Sequence, residues 1–177
     1  ADYSFEHSHW QATSSLSAWL KEEGVPGISG IDTRALTQKL RDGGVQRTKI
    51  IQEGGPDIEM DDPMSRNLIA EVGNRNELWN EGGDIRILMV DTGLKNNMLR
   101  CLISRNCEVQ VVPWDTDFTK MDYDGLFISN GPGDPNTIAL TISHIEAVLQ
   151  AMRDGSLPVK PIFSICLGNQ HLSLTAG

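Results

Sequence analysis

Apolar residues recur along this chain in two rhythms, and the place where one gives way to the other divides it. In the first part the spacing is helical. His9-Trp10-Gln11-Ala12 and Leu16-Ser17-Ala18-Trp19-Leu20 put apolar residues three and four apart, and Glu22-Glu23-Gly24 with Pro26 closes the run. The pattern from Ser8 predicts a helix of about three turns. After a turn at Pro26-Gly27, the residues from Gly30 to Arg41 read as a second helix, capped by Asp32 or Thr33, with Ala35, Leu36 and Leu40 facing inward and Gly43-Gly44 ending it. A short strand is expected at 48–51. Residues 52–66 mix Glu53, Asp57, Glu59, Asp61 and Asp62 with glycine and proline and predict a solvated loop. The Asn-, Glu- and Gly-rich stretch 73–84, which carries Trp79, reads as a linker.

Beyond the linker the rhythm changes. Ile85-Arg86-Ile87-Leu88-Met89-Val90, then 108–113 and 126–129, are short apolar runs that predict buried strands, and a fourth runs into Cys166. Between them, 96–105 places Met98, Leu99, Leu102 and Ile103 on one helix side, and 138–153 repeats Ile142, Ile145, Val148, Leu149 and Met152 at helical spacing. This alternation predicts an α/β fold. An open, mainly parallel sheet covered on both faces occupies residues 84–177, preceded in 1–83 by part of a smaller mixed α/β domain and the linker. Right-handed crossovers make the four strands point the same way. Their carboxyl ends, where open α/β sheets bind ligands, then fall at Asp91 to Gly93, Trp114-Asp115, Asn130 to Pro135 and Cys166 to Gln170.

Composition narrows the partners. With 177 residues, 39% of them hydrophobic, the chain can build one substantial core, or one domain and part of another. No apolar run approaches the roughly 20 residues of a membrane span, so no membrane is expected as a partner. A net charge of −9 argues against binding a phosphate backbone, so nucleic acid is not expected either. Cys101, Cys107 and Cys166 have neither CxxC pairing nor metal-ligand spacing, which fits a reducing intracellular setting without disulfides. His7 and His9 lack a carboxylate or cysteine at a supporting spacing, so no metal site is expected.

The chemistry concentrates near the end. From Lys160 an apolar run stops abruptly at Cys166-Leu167-Gly168, which predicts a strand turning sharply into a helix. Such a nucleophile elbow lifts one side chain out of the fold, offers backbone N–H groups to an oxyanion, and aims the partial positive charge of a helix start at the sulfur. The plainer alternative is a cysteine acting as a small hydrophobe at a strand end. Asn130-Gly131-Pro132-Gly133-Asp134-Pro135 lets a backbone bend and approach a ligand, and would supply one oxyanion donor while the Leu167 N–H supplies another; an ordinary turn is the plainer reading here. Two donors and a thiolate make an acyl-transfer site. A base is harder to find. His171 lies more than a helical turn past the cysteine on a different side, and His144 falls on a predicted helix as a solvated surface residue. The expectation is a fragment whose catalytic base lies beyond residue 177.

Ser129 to Pro135, followed by Cys166-Leu167-Gly168-Asn169-Gln170, resembles the signature of the class I (triad-type) glutamine amidotransferases. Gly30-Ile31-Asp32-Thr33-Arg34-Ala35-Leu36-Thr37, Ser15-Leu16, Trp19-Leu20, and Asp91-Thr92-Gly93-Leu94-Lys95 with Asn97 and Arg100 further resemble the glutamine-hydrolysing part of carbamoyl-phosphate synthases, over essentially the whole chain. That resemblance implies that Cys166 is the nucleophile forming a glutamyl thioester, that Gly133 and Leu167 are the oxyanion donors, and that Gly131, Gly133, Leu167 and Gln170 hold glutamine. It also implies that 1–83 is the later part of the small-chain N-terminal domain with its linker, and 84–177 the first half of the amidotransferase domain.

No cofactor is implied for this chain. ATP and Mg are expected only in the partner synthetase, a large subunit or region that receives the ammonia for carbamoyl phosphate synthesis in the arginine/urea or pyrimidine pathway. The family's His and Glu sit in a His-x-Glu motif after the nucleophile; none follows Cys166, so the chain alone is expected to be inactive. Ser164 and Asn169 stand where the family usually has Gly and His. Asn169 and Asn96-Asn97 resemble the mitochondrial, urea-cycle branch, which favours the mitochondrial matrix over the cytoplasm. Ammonia-dependent members of that branch carry serine at the nucleophile, so a non-catalytic interaction or allosteric domain is the alternative reading. A cysteine hydrolase of the α/β-hydrolase type fits less well, because Ser164 breaks its glycine pattern and residues 130–135 have no role in it.

Overall fold

The computed structural model describes residues 3–176 and divides the chain into two units, Ala1–Met60 and Asp61–Gly177. In the first, helix α1 (Leu16–Glu22) starts where the Ser15 side chain accepts from Ala18 N, and α2 (Thr33–Gly43) where Asp32 accepts from Ala35 N at 3.0 Å. The helix expected from Ser8 thus begins only at Leu16, where a cap becomes available. Residues 48–51 form no strand, since no neighbour in this unit supplies the ladder that a short strand needs. Nor do Ala35, Leu36 and Leu40 face a core: Leu36 is 40% and Leu40 39% exposed, and no described residue up to Met60 is buried.

The second unit is built on a sheet. After a 3-10 turn at Pro63–Ser65 and α3 (Leu68–Val72), five strands follow with three further helices. They are β1 (Glu77–Trp79), β2 (Ile85–Asp91), α4 (Asn96–Ile103), β3 (Cys107–Pro113), β4 (Gly125–Ile128), α5 (Ala139–Arg153), β5 (Ile162–Ser164) and α6 (Leu167–Ala176). The sheet order is β1-β3-β2-β4-β5, with β1 antiparallel to β3 and the other pairs parallel. β1 lies inside the stretch read as a linker, and α3 contributes the fully buried Ile69, so these elements belong to the unit built on the sheet.

Alternation along the strands assigns the two faces. Leu88, Val90, Leu126 and Ile128 point to one side, where Ile145 and Val148 of α5 cover them with Phe118 and Tyr123. Met89, Val109, Val111 and Phe127 point to the other, against Leu99 of α4 and its neighbours Met98, Leu102 and Ile103. A third cluster, Ile69, Ile138 and Leu167 with Trp114 against it, joins α3 and the start of α6. From β2 the chain crosses to β3 on one side, then returns to β4 on the other. The carboxyl ends of β2 and β4 therefore flank a topological switch point, the place where open α/β sheets leave a crevice for ligands. Among the described residues no helix is long and apolar enough to cross a membrane.

Candidate active site

The elbow forms as its sequence predicts. β5 ends at Ser164, whose Cα pairs with Ile128, and the Ile165 N–H donates to Ile128 O at 3.1 Å. Cys166 then takes φ 54°, the left-handed region that a residue with a Cβ enters only at a cost of order 1–3 kcal/mol. This reversal starts α6, with Gln170 N–H donating to Cys166 O at 3.1 Å, and leaves the thiol exposed. Gly168 makes the turn possible. A Cβ there would lie 2.5 Å from Ile128 O and 2.6 Å from Ser129 O, so α6 can begin this close to β4 only without one.

The loop after β4 meets the loop after β2. At Gly131 a Cβ would fall 1.9 Å from Thr92 O and 3.0 Å from Leu167 Cδ2, which places this glycine between the β2 tip and the first residue of α6. Asp91 is fully buried at that tip. Its Oδ1 accepts from Gly93 N (3.0 Å) and Leu94 N (2.7 Å), its Oδ2 from Arg75 N (3.2 Å), and Arg75 Nε stands at 4.0 Å. A buried carboxylate is stable only with such partners. Thr92 and Ser129, also fully buried, bond to each other across the switch point. Further along, Asp134 caps the 3-10 turn Pro135–Thr137; hydrogen bonds from the Asn136 backbone and side chain hold its carboxyl below the usual carboxylate range.

Of the residues singled out by sequence, Gly131, Leu167 and Cys166 come together at the elbow, and Gln170 is exposed one turn along α6. Gly133, at φ +90°, rests against Leu68 of α3. Neither Gly133 N–H nor Leu167 N–H has a hydrogen-bond partner among the described residues. The Asn130 side-chain oxygen is buried and unpartnered as well.

Neither His171 nor His144 is hydrogen-bonded to Cys166. His171 is fully buried in α6, both ring nitrogens lack partners, and burial pushes its pKa down to about 4. His144, expected on a solvated surface, is half-buried. Its ring meets Phe118 edge-on at 5.5 Å, and its Nδ1 is buried without a partner. An apolar groove of about 640 Å³ along the α4 face, floored by Phe127, Phe163 and Ile165, does not include Cys166. No group of His, Cys, Asp and Glu among the described residues could hold a metal ion.

Sequence reading put Thr92 on the ligand edge and Ser129 in the signature, but it neither paired the two nor singled out Arg75. A hydroxyl pair separated by 37 positions has no spacing signal, and only the strand order brings it together.

Residues 88–177 match the family model described as glutamine amidotransferase class-I, and residues 1–50 that of the carbamoyl-phosphate synthase small chain, CPSase domain. The chain is 47% identical, over 99% of its length, to carbamoyl-phosphate synthase (ammonia), mitochondrial, of Aquarana catesbeiana, of which it covers 12%. It is 42% identical to the multifunctional protein pyr-3 of Neurospora crassa (97% of this chain, 11% of that protein). It is likewise 42% identical to the multifunctional protein CAD of Squalus acanthias (96% and 8%). The chain thus spans about a tenth of the length of these relatives.

Proposed function

We propose that this chain, which belongs to the glutamine amidotransferase class-I family, is the glutamine-hydrolysing portion of a carbamoyl-phosphate synthase. The observation that carries the reading is Cys166, exposed and held at φ 54° where β5 turns into α6, beside the Gly131 loop. In this reading Cys166 Sγ attacks the carboxamide carbon of glutamine, the C–N bond breaks, ammonia leaves, and a glutamyl thioester remains. Water then cleaves the thioester to glutamate and restores the sulfur. The unpartnered N–H groups of Gly133 and Leu167 receive the oxyanion, while Gly131 and Gln170 hold the substrate. Ammonia passes to a synthetase portion, a large subunit or a region of the same polypeptide, where ATP and Mg belong; this chain's own step uses no cofactor.

The thiol proton needs an acceptor, and no histidine is hydrogen-bonded to Cys166 among the described residues. Residues 1–177 alone are therefore expected to bind a glutamine-like electrophile without sustained hydrolysis. The similarity to a mitochondrial relative supports the mitochondrial matrix, in an arginine/urea setting; the two multifunctional relatives support a region of a pyrimidine-pathway multienzyme as the other setting.

The test is labelling with a diazoketone analogue of glutamine, with and without glutamine, read by peptide mass. Glutamine-protected modification at Cys166, lost in Cys166→Ala while the exposed Cys101 still reacts with iodoacetamide, is the expected result. A second reading, a non-catalytic interaction or allosteric domain with Cys166 a relic, is favoured by the relative named for ammonia. It wins if Cys166 takes no glutamine-protected label and no glutamine is hydrolysed when a synthetase is supplied.

A further inference from the structure

At the switch point two buried hydroxyls join the β2 tip to the loop that leads into Gly131. Thr92 and Ser129 are both 0% exposed. Each hydroxyl has one proton to donate, and both are committed to the same short stretch of backbone. Ser129 Oγ accepts from Thr92 N–H at 2.9 Å and donates to Asn130 O at 3.0 Å. Thr92 Oγ1 donates to Ser129 O at 2.9 Å and lies 3.2 Å from both Asn130 O and Ser129 Oγ. The two carbonyls before Gly131 thus turn back toward β2 and are satisfied there by side chains.

The other contacts of this stretch lead to the elbow. Ser129 O is one of the two carbonyls against which Gly168 packs, and Thr92 O is the atom that a Cβ at Gly131 would strike, with Leu167 Cδ2 next. Gly131 is therefore held between Thr92 and the first turn of α6. Asp91 fixes the Thr92 backbone from behind through Gly93 N and Leu94 N. An apolar residue of the same shape at position 92 would fill the space and leave the buried carbonyls less well paired, a state that buried polar groups avoid.

We propose that Thr92 is a positioning residue for glutamine: its hydroxyl, acting with Ser129, fixes the orientation of the backbone from Asn130 to Gly133 so that the Gly131 and Gly133 amides meet a ligand at Cys166. The proposal rests on the glutaminase reading above for its ligand, and on the hydrogen bonds alone for the loop.

Two readouts test it on Thr92→Val, Thr92→Ser and Ser129→Ala. The first is backbone hydrogen exchange of 129–135, with 107–113 of β3 as the reference. The second is the concentration dependence of Cys166 labelling by the glutamine diazoketone, with iodoacetamide as a thiol probe that needs no glutamine site. Thr92→Val should raise the half-saturating diazoketone concentration roughly tenfold or more, since small misplacements of a positioned group carry penalties of that order. Exchange of 129–135 should quicken, while the reference segment and the iodoacetamide rate stay unchanged. Thr92→Ser should restore both readouts. Ser129→Ala, which leaves the Thr92 hydroxyl in place, should change both in the same direction by less, and it serves if Thr92→Val does not fold.

Unchanged exchange at 129–135, equal quickening of β3, or failure of serine to rescue would each overturn the proposal. If the unsubstituted chain takes no glutamine-protected label, the glutaminase reading and the ligand named here fall together. The exchange data then still decide whether Thr92 holds the loop.

Discussion

The two units of this chain differ in whether anything is buried behind their helices. In Ala1–Met60, α1 and α2 both begin at a side-chain cap, Ser15 and Asp32, yet no described residue there is buried. In Asp61–Gly177, α4 and α5 begin without any side-chain cap, yet Leu99, Ile145 and Val148 anchor them to a sheet whose central strands are buried on both faces. Local signals are enough to start a helix; burial is what gives it a fixed neighbour and makes it matter to stability. The candidate site, whose proposed chemistry needs atoms held to a fraction of an ångström, lies on the second unit.

Substitutions should separate the two regimes. Ile128→Ala, in the buried β4, is expected to cost ~2–5 kcal/mol in urea unfolding followed by the second unit's fluorescence, whereas the half-exposed Leu36→Ala should stay within about 0.5 kcal/mol. Equal costs would mean that α2 has a buried partner after all. Gly131→Ala comes next, at about 3 kcal/mol, because its Cβ meets the Thr92 carbonyl, a backbone atom that cannot step aside alone. A variant as stable as the parent would remove the close packing of the two loops.

The pH dependence should also belong to the second unit. Burial holds His171 near 4 against an ordinary 6.5, so on acidification the unfolded chain takes up its proton first. The stability associated with a neutral His171 is complete above about 6.5 and is lost as pH falls through about 4, by at most ~3 kcal/mol. Urea midpoints between pH 7.5 and 4.5 should show this slope, and His171→Leu should flatten it; an unaltered slope would assign the effect to other groups. The smallest change is expected at a cap. Asp32→Ala should cost ~1 kcal/mol locally, visible as faster exchange at Ala35 and its neighbours with no shift in the unfolding of the sheet.

Most of the second unit was legible because its strands are short apolar runs that end at glycine, proline or a polar residue, and its helices repeat at three and four. The elbow was legible for the same reason, since Cys166-Leu167-Gly168 interrupts such a run. Glu77-Leu78-Trp79 was not: three exposed residues carry no period, and β3 alone makes them a strand. For Leu36 and Leu40 the periodicity correctly identified the apolar side of α2, but a period says which side is apolar and not whether anything lies over it. The Thr92–Ser129 pair was hidden because strand order, not linear distance, brings it together. His144 was misplaced because its helix position gave no hint of Phe118 beside it.

The left-handed backbone at Cys166 bears on how this chain can drift. Glycine adopts that conformation freely, so at this one position the change that most relaxes the fold is also the change that deletes the sulfur. Losing this cysteine to glycine would meet no folding penalty, and Cys166→Gly should be at least as robust as the parent while taking no label at position 166. Under the proposed glutaminase reading, cysteine at this position is set against conformational preference, and its reactivity is what would sustain it.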